Sequence, residues 1–384
     1  MRIKLLSIEF FFIIGFLFFY TAYFYSGDLI DYELKGVGFI LHSLALISFL
    51  IGVFIASFRV KQVGLTKKNV AIRVKKGFSF FVVFFSLVGV FVSALQVSIS
   101  VSLFDYFYSF FNSEFDSEIR NAYLLPYSEG GLPGVIKVFS NSTLAVTLLL
   151  CSMLFFYSYD NRLARKLKIL LFFSLSMLLV KVLLSLDRIT IFALVFPFVF
   201  YFFKYKLYFN ISSYLLFFII FLLMNFISLN RLPDHGIFDF FFLYFYLGFS
   251  NLELVVESFD SHSYGLSTFF SPFLFIARFL KIDFNLSYDF VWVWNPAQYS
   301  VSYFYMDFGP FYIVFFFLFG YFISRLTNYA YLAKPFSSST YFVFFYGFMS
   351  FVTVPVFRGL EIYLAIIISY FLFLLFVDRY DSFR

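Results

Sequence analysis

Apolar runs of 18 or more residues recur along the whole of this 384-residue chain, and FFIIGFLFFY (11–20) is typical of them. Each is long enough to cross a hydrocarbon core of about 30 Å as a helix. The period-two alternation of an outer-membrane barrel strand is missing, and runs of this kind leave no room for a polar lumen face. The sequence therefore reads as an all-α polytopic membrane protein. A hydrophobic share of 62%, a charged share of 13% and a mean hydropathy of +0.91 lie outside the range of soluble domains.

The 71 Phe and 30 Tyr are read as compositional drift, since Phe can replace Leu on a lipid-facing surface. The single cysteine, Cys151, excludes an internal disulfide and a thiolate metal cluster. The start, MRIK followed by a long apolar run without an A-x-A-like site, is expected to be a retained first span. No repeat of fixed period is visible, and the chain is expected to be a single integral membrane domain over 1–384.

Spans are expected near 5–25, 37–58, 78–102, 141–159, 168–186, 189–203, 211–230, 303–324, 339–357 and 361–377, about ten helices with both ends on one side. Two basic segments fix that side as cytoplasmic: RVKQVGLTKKNVAIRVKK (59–76) holds seven Lys or Arg and DNRLARKLK (160–168) holds four. The outer pieces are then a first loop, 103–140, a larger one, 231–302, and short turns. Chemistry is expected to face outward, because the inner loops hold little besides topogenic charge. Segments 237–259 and 264–282 could also cross, giving eleven or twelve helices. Asp239, Glu253 and Glu257 interrupt the first, and Pro272 and Arg278 the second, so amphipathic or re-entrant helices on the outer face are the preferred reading.

Four arginines fall at or near the outer ends of spans: Arg188 in the turn SLDRIT, Arg231, Arg278 and Arg358. A guanidinium stays charged and its planar fork matches phosphate oxygens bidentately, so this set suits a lipid pyrophosphate. The plain alternative is pairing with neighbours: Asp187 abuts Arg188, Asp234 follows Arg231, and Glu361 lies three residues after Arg358. The span after Arg188 is short, about 22 Å at helical rise, and contains Pro197, which would leave that arginine below the membrane surface. Nearby, NRLPDHG offers His235 as a general base on a Pro and Gly turn. Glu253 is the second candidate base, sharing a helix face with Glu257 at i and i+4, and the same pair would suit the solvated side of an interfacial helix. His262 is a weaker candidate, and His42, inside a span, suits a structural hydrogen bond. No H-E-x-x-H, outer Asp-x-Asp with a neighbouring His, or P-loop is present, so no metal site and no cofactor are expected.

The segment WNPAQYSVSYFYMDFGPFYIVFFFLFGYFISRL (294–326), with Tyr305, Asp307, Phe308 and Gly309, resembles the C-terminal part of bacterial oligosaccharide repeat unit polymerases, the O-antigen polymerase or Wzy-type family. SLDRITIFALVF looks like that family's small-residue plus Arg turn opening a span, although Leu186 and Asp187 stand where smaller residues are expected. The resemblance implies a metal-independent, glycosyltransferase-C-like enzyme. It would move a growing glycan from undecaprenyl pyrophosphate onto a second lipid-linked repeat unit at the periplasmic face of the inner membrane. The implied partners are that lipid-linked oligosaccharide, membrane lipid and a chain-length regulator protein, with no nucleic acid. Trp292, Trp294 and Tyr299 could stack on sugars or form an interfacial aromatic belt. Asp307, placed in the first turn of its span, is expected to favour the helix N-terminus or hold an arginine.

Three other readings fit the sequence. An O-antigen ligase would transfer the same glycan to lipid A core. A flippase or small-solute carrier should carry charges inside the helix bundle and show repeated halves; only Glu9 and Lys181 lie well within spans. A non-catalytic membrane partner would leave the outer arginines replaceable.

Overall fold

The computed structural model describes residues 8–25, 36–62, 70–99, 101–111, 133–157, 159–185, 237–258, 263–264, 269–280, 300–351 and 360–381. Their helices are α1 (Ile8–Tyr25), α2 (Val37–Gln62), α3 (Phe78–Ser98), α4 (Leu103–Phe111), α5 (Gly134–Val138), α6 (Ser142–Phe156), α7 (Asn161–Ser185), α8 (Ile237–Ser258), α9 (Phe270–Phe279), α10 (Ser300–Phe308), α11 (Tyr312–Tyr331), α12 (Pro335–Phe351) and α13 (Leu360–Phe376). Two strands, β1 (Val70–Val74) and β2 (Val377–Asp381), pair antiparallel. Among the described residues, five stretches are long and apolar enough to cross a membrane: Val37–Phe58, Phe78–Ser98, Ile136–Phe156, Asn161–Ser185 and Val301–Tyr331. Ile8–Thr21 and Leu360–Phe376 are shorter apolar helices. The expected spans 189–203 and 211–230 lie outside the described residues.

The side-chain pattern is that of helices in lipid. On α2, Ile40, Leu44, Ile47, Ile51, Phe54 and Phe58 form one exposed apolar stripe, while Ala45, Phe49, Val53 and Ala56 are buried. On α3 the polarity is inverted relative to a soluble helix, with Phe80, Phe84, Leu87 and Phe91 outside and Ser86, Gly89, Ser93 and Gln96 inside. Apolar side chains gain nothing by leaving hydrocarbon, so small residues that let backbones approach occupy the seams. The buried hydroxyls return to their own helix, Ser86 Oγ donating to Val82 O at 2.8 Å and Ser93 Oγ to Gly89 O at 2.9 Å.

The chain divides into two compact units, the first from 1–66, 234–332 and 344–362, the second from 67–233, 333–343 and 363–384. In the first, α2 packs along α11 through two glycines. A Cβ on Gly52 would lie 2.1 Å from Phe317 O, and one on Gly320 would lie 2.1 Å from Phe49 O. Around this crossing Phe12, Phe16, Phe49, Phe316 and Phe319 form an aromatic core, with Phe12 stacked on Phe49 at 4.2 Å. His42 is fully buried in the same core, its Nε2 bonded to the Phe16 carbonyl at 3.1 Å, the structural role expected of it.

In the second unit α3, α6 and α7 pack on one another, and α6 is buried along nearly its whole length. Thr143 Oγ1 donates to Ser86 O at 2.8 Å beside Gly89. Two expected boundaries change here. Basic residues 162–168 are not a loop but the first two turns of α7, because long Lys and Arg side chains can keep their charges in water from a helix. Within the expected loop 59–76, residues 59–62 continue α2 and 70–74 form β1, whose register runs from Val70 opposite Asp381 to Val74 opposite Val377. Lys75 pairs with Asp378 at 3.1 Å at the end of that ribbon.

Candidate functional site

The segment carrying Tyr305 to Gly309 does not form one continuous helix. The 31-residue apolar stretch Val301–Tyr331 is interrupted: α10 ends at Phe308, a 3-10 turn follows over Gly309–Phe311, and α11 begins at Tyr312. Gly309 takes a φ of 52°, which a glycine adopts without a Cβ penalty, and Pro310 supplies no N–H to continue a helix. Asp307 consequently sits at the C-terminal end of α10 and not in the first turn of its span.

Asp307 is 0% exposed, and its Oδ1 accepts a 2.6 Å hydrogen bond from Ser263 Oγ. The Ser263 and Tyr264 amides also donate to Met306 O and Asp307 O, each at 3.0 Å. Residues 263–264 therefore satisfy carbonyls that the end of α10 leaves open, with Tyr264 held at a φ of 48°. A carboxylate near a helix C-terminus is poorly placed against the backbone dipole, and the serine hydroxyl offsets part of that cost.

Glu253 lies on α8, which packs against α1, α2 and α10. It is 1% exposed, and its Oε1 accepts the Gly38 N–H at 3.0 Å. Gly38 is in the first turn of α2, where backbone donors have no intrahelical partner and a negative charge is favoured. The fit at Gly38 is tight: a Cβ there would stand 3.1 Å from Glu253 Cγ and 3.2 Å from Phe249 O. The solvated-face reading of this acidic pair thus holds only for Glu257, which is exposed. Glu253 turns inward because an unsatisfied amide awaits it.

α9 is ten residues long, about 15 Å, which is half a hydrocarbon core. Arg278 lies in its last turn. His235, Arg188, Arg231 and Arg358 lie outside the described residues, as do Asp187, Asp234, His262, Trp292, Trp294 and Tyr299. The structure therefore places two of the expected site residues, Glu253 and Arg278, on neighbouring elements of the sequence within the first unit.

Ser263 and Gly38 were not singled out in the sequence, since each matters only through a partner far along the chain. Two further buried polar groups, the Asn251 amide on α8 and the Ser302 hydroxyl on α10, have no hydrogen-bond partner among the described residues. Glu9, on α1, is buried and accepts from Thr327 Oγ1 at 3.0 Å. In the second unit Lys181 is buried on α7 and donates to Asn141 Oδ1 at 3.2 Å. Among the described residues, no three His, Cys, Asp or Glu side chains come together as a metal-holding group.

Tyr157, just beyond α6, is buried in the second unit. Its hydroxyl bonds to Ser338 Oγ and lies 3.4 Å from Ala333 O, while Arg379 Nη1 donates to the same carbonyl at 3.0 Å. Burial pushes the phenol up to about 12, and the Ser338 bond and the Arg379 charge oppose that rise.

No family model, curated protein or solved structure matches the chain. What the geometry shows, among the described residues, is a helical architecture with five stretches long and apolar enough to cross a membrane and with inward-turned carboxylates in its first unit.

Proposed function

We propose that this chain polymerises undecaprenyl-pyrophosphate-linked oligosaccharide repeat units into a surface polysaccharide, acting at the periplasmic face of the inner membrane with both termini cytoplasmic. The observation that carries the reading is Asp307. It lies in the Tyr305, Asp307, Phe308, Gly309 pattern that resembles repeat unit polymerases, and it is buried on Ser263 at a break in a long apolar stretch. Discontinuous helices line the polar substrate sites of secondary transporters, and the same break beside Asp307 would admit a polar group of a lipid-linked sugar.

In the reaction, the acceptor hydroxyl oxygen bonds to the anomeric carbon of the donor glycan as the carbon–oxygen bond to the lipid pyrophosphate breaks. His235 takes the hydroxyl proton, with Glu253 the second candidate, and Arg188, Arg231, Arg278 and Arg358 neutralise the departing pyrophosphate. The fold assigned to this reading is glycosyltransferase-C-like, without metal. A ligase would use the same donor with lipid A core as acceptor.

The test mixes purified protein in nanodiscs with a lipid-pyrophosphate repeat unit and follows a glycan ladder on a gel. Wild type should build the ladder, and a folded Arg188→Ala variant should lose it. A ladder that persists in that variant removes Arg188 from the site, and no ladder from folded wild type removes the polymerase.

A second reading, a transporter or flippase, is favoured by one observation. Glu9, Glu253, Asp307 and Lys181 are all buried, and charges inside a bundle commonly mark a transport path. Lipid or solute flux into proteoliposomes, without ladder formation, would select it.

A further inference from the structure

We infer that α4 is an interfacial helix whose aromatic face is seated in the apolar part of the bilayer, in the leaflet at the end of α3 remote from Lys75 and Lys76. The helix has its own cap: Ser102 Oγ accepts the Asp105 N–H at 3.1 Å and donates to Asp105 Oδ2 at 2.5 Å, so α4 is a separate element and not a continuation of α3. Its nine residues rise about 14 Å, half of what a span needs. From Leu103 to Tyr108 only Tyr106 is buried. It packs with Val97 and Leu184, and its hydroxyl donates to Leu184 O at 2.9 Å, which fastens the helix to the end of α7.

That single anchor fixes what faces away from the protein. At about 100° per residue, the direction opposite Tyr106 falls midway between Phe104 and Tyr108. These two are 78% and 55% exposed and stack on each other at 6.2 Å, forming one apolar slab where a helix on the surface of a soluble protein would carry polar groups. Leu103 and Phe107, also exposed, border the slab on one side and Asp105 on the other. Lipid is the occupant that the neighbouring surface already meets. On α3, a helix long enough to span, the exposed stripe Phe80, Phe84, Phe91, Leu95 and Ile99 runs to the end of the helix, four residues before Leu103. Asp105 is the only charged residue from Leu103 to Phe111, so the attachment is apolar and owes nothing to anionic headgroups.

The experiment puts a nitroxide spin label on Phe104→Cys or Tyr108→Cys in a Cys151→Ala background, with the full chain in nanodiscs of dioleoylphosphatidylcholine. It compares collisions with oxygen, which concentrates in hydrocarbon, and with a neutral water-soluble nickel complex. Phe91→Cys on the exposed stripe of α3 and Lys76→Cys at the exposed start of that helix are the references. The oxygen-to-nickel ratio at 104 and 108 should stand about fivefold or more above that at 76 and within about threefold of that at 91. Replacing half of the lipid by dioleoylphosphatidylglycerol should leave it unchanged. Ratios like that at 76 would put the face in water and overturn the proposal. Protection from both reagents would mean that protein, such as a second copy of the chain, covers the face, and would overturn it too. So would a high ratio that appears only with the anionic lipid.

Discussion

Glu253 and Gly38, 215 positions apart, meet through a 3.0 Å hydrogen bond in which the buried carboxylate accepts the amide from the first turn of α2. The contact ties α8 to the start of α2.

Removing either side of that contact has separable consequences. Glu253→Ala leaves a buried amide without its acceptor and should cost about 1–3 kcal/mol. Gly38→Ala brings a Cβ to 3.1 Å from Glu253 Cγ and 3.2 Å from Phe249 O and should cost less than Glu253→Ala, since a shift of a few tenths of an ångström relieves the contact. Glu253→Gln keeps an acceptor and should unfold close to wild type. Thermal unfolding in detergent reads all three, and ladder formation by Glu253→Gln then separates a base from a cap: a stable variant without activity is expected only of a base.

The α2 and α11 crossing should tolerate no side chain at all. Gly52→Ala and Gly320→Ala each drive a methyl to 2.1 Å from a backbone carbonyl oxygen, which cannot swing aside as a side-chain tip can. Each should cost about 3 kcal/mol or more, at the upper end of overpacking penalties. The readout is loss of the monodisperse peak in size-exclusion chromatography, with Leu44→Ala on the exposed stripe as the tolerated comparison.

Tyr157 should make the protein sensitive to alkali. Its phenol titrates near 10 when unfolded and at about 12 when folded, so the unfolded chain releases the proton first. The contribution from this group is complete below about pH 10 and declines as pH rises from there through about 12. Tyr157→Phe should lower Tm modestly at pH 7, by the equivalent of about 1 kcal/mol for its hydrogen bonds. It should also flatten the decline above pH 10, and an unchanged slope would show that other groups govern it.

Helices α2, α3 and α7 were legible in the sequence because a bilayer leaves an apolar run few ways to satisfy its backbone. Their edges were less so. Arg162 to Lys168 read as a loop, yet a helix can present those charges to water, and the residues 70–74 became a strand only because β2 arrives from the far end of the chain. The continuous span expected over 303–324 is broken at Gly309 and Pro310, a break that those two residues could have signalled.

Sequence alone thus determined that the chain is helical and suited to a membrane, since those properties follow from local composition in a solvent without hydrogen bonds. Tertiary structure decided which charges turn inward. Glu253 and Glu257 are equivalent by spacing, but only Glu253 meets the open amide of Gly38, and Asp307 is held by a serine from another segment. Burying a charge is set by the partner that compensates it, and here each partner comes from a distant part of the chain.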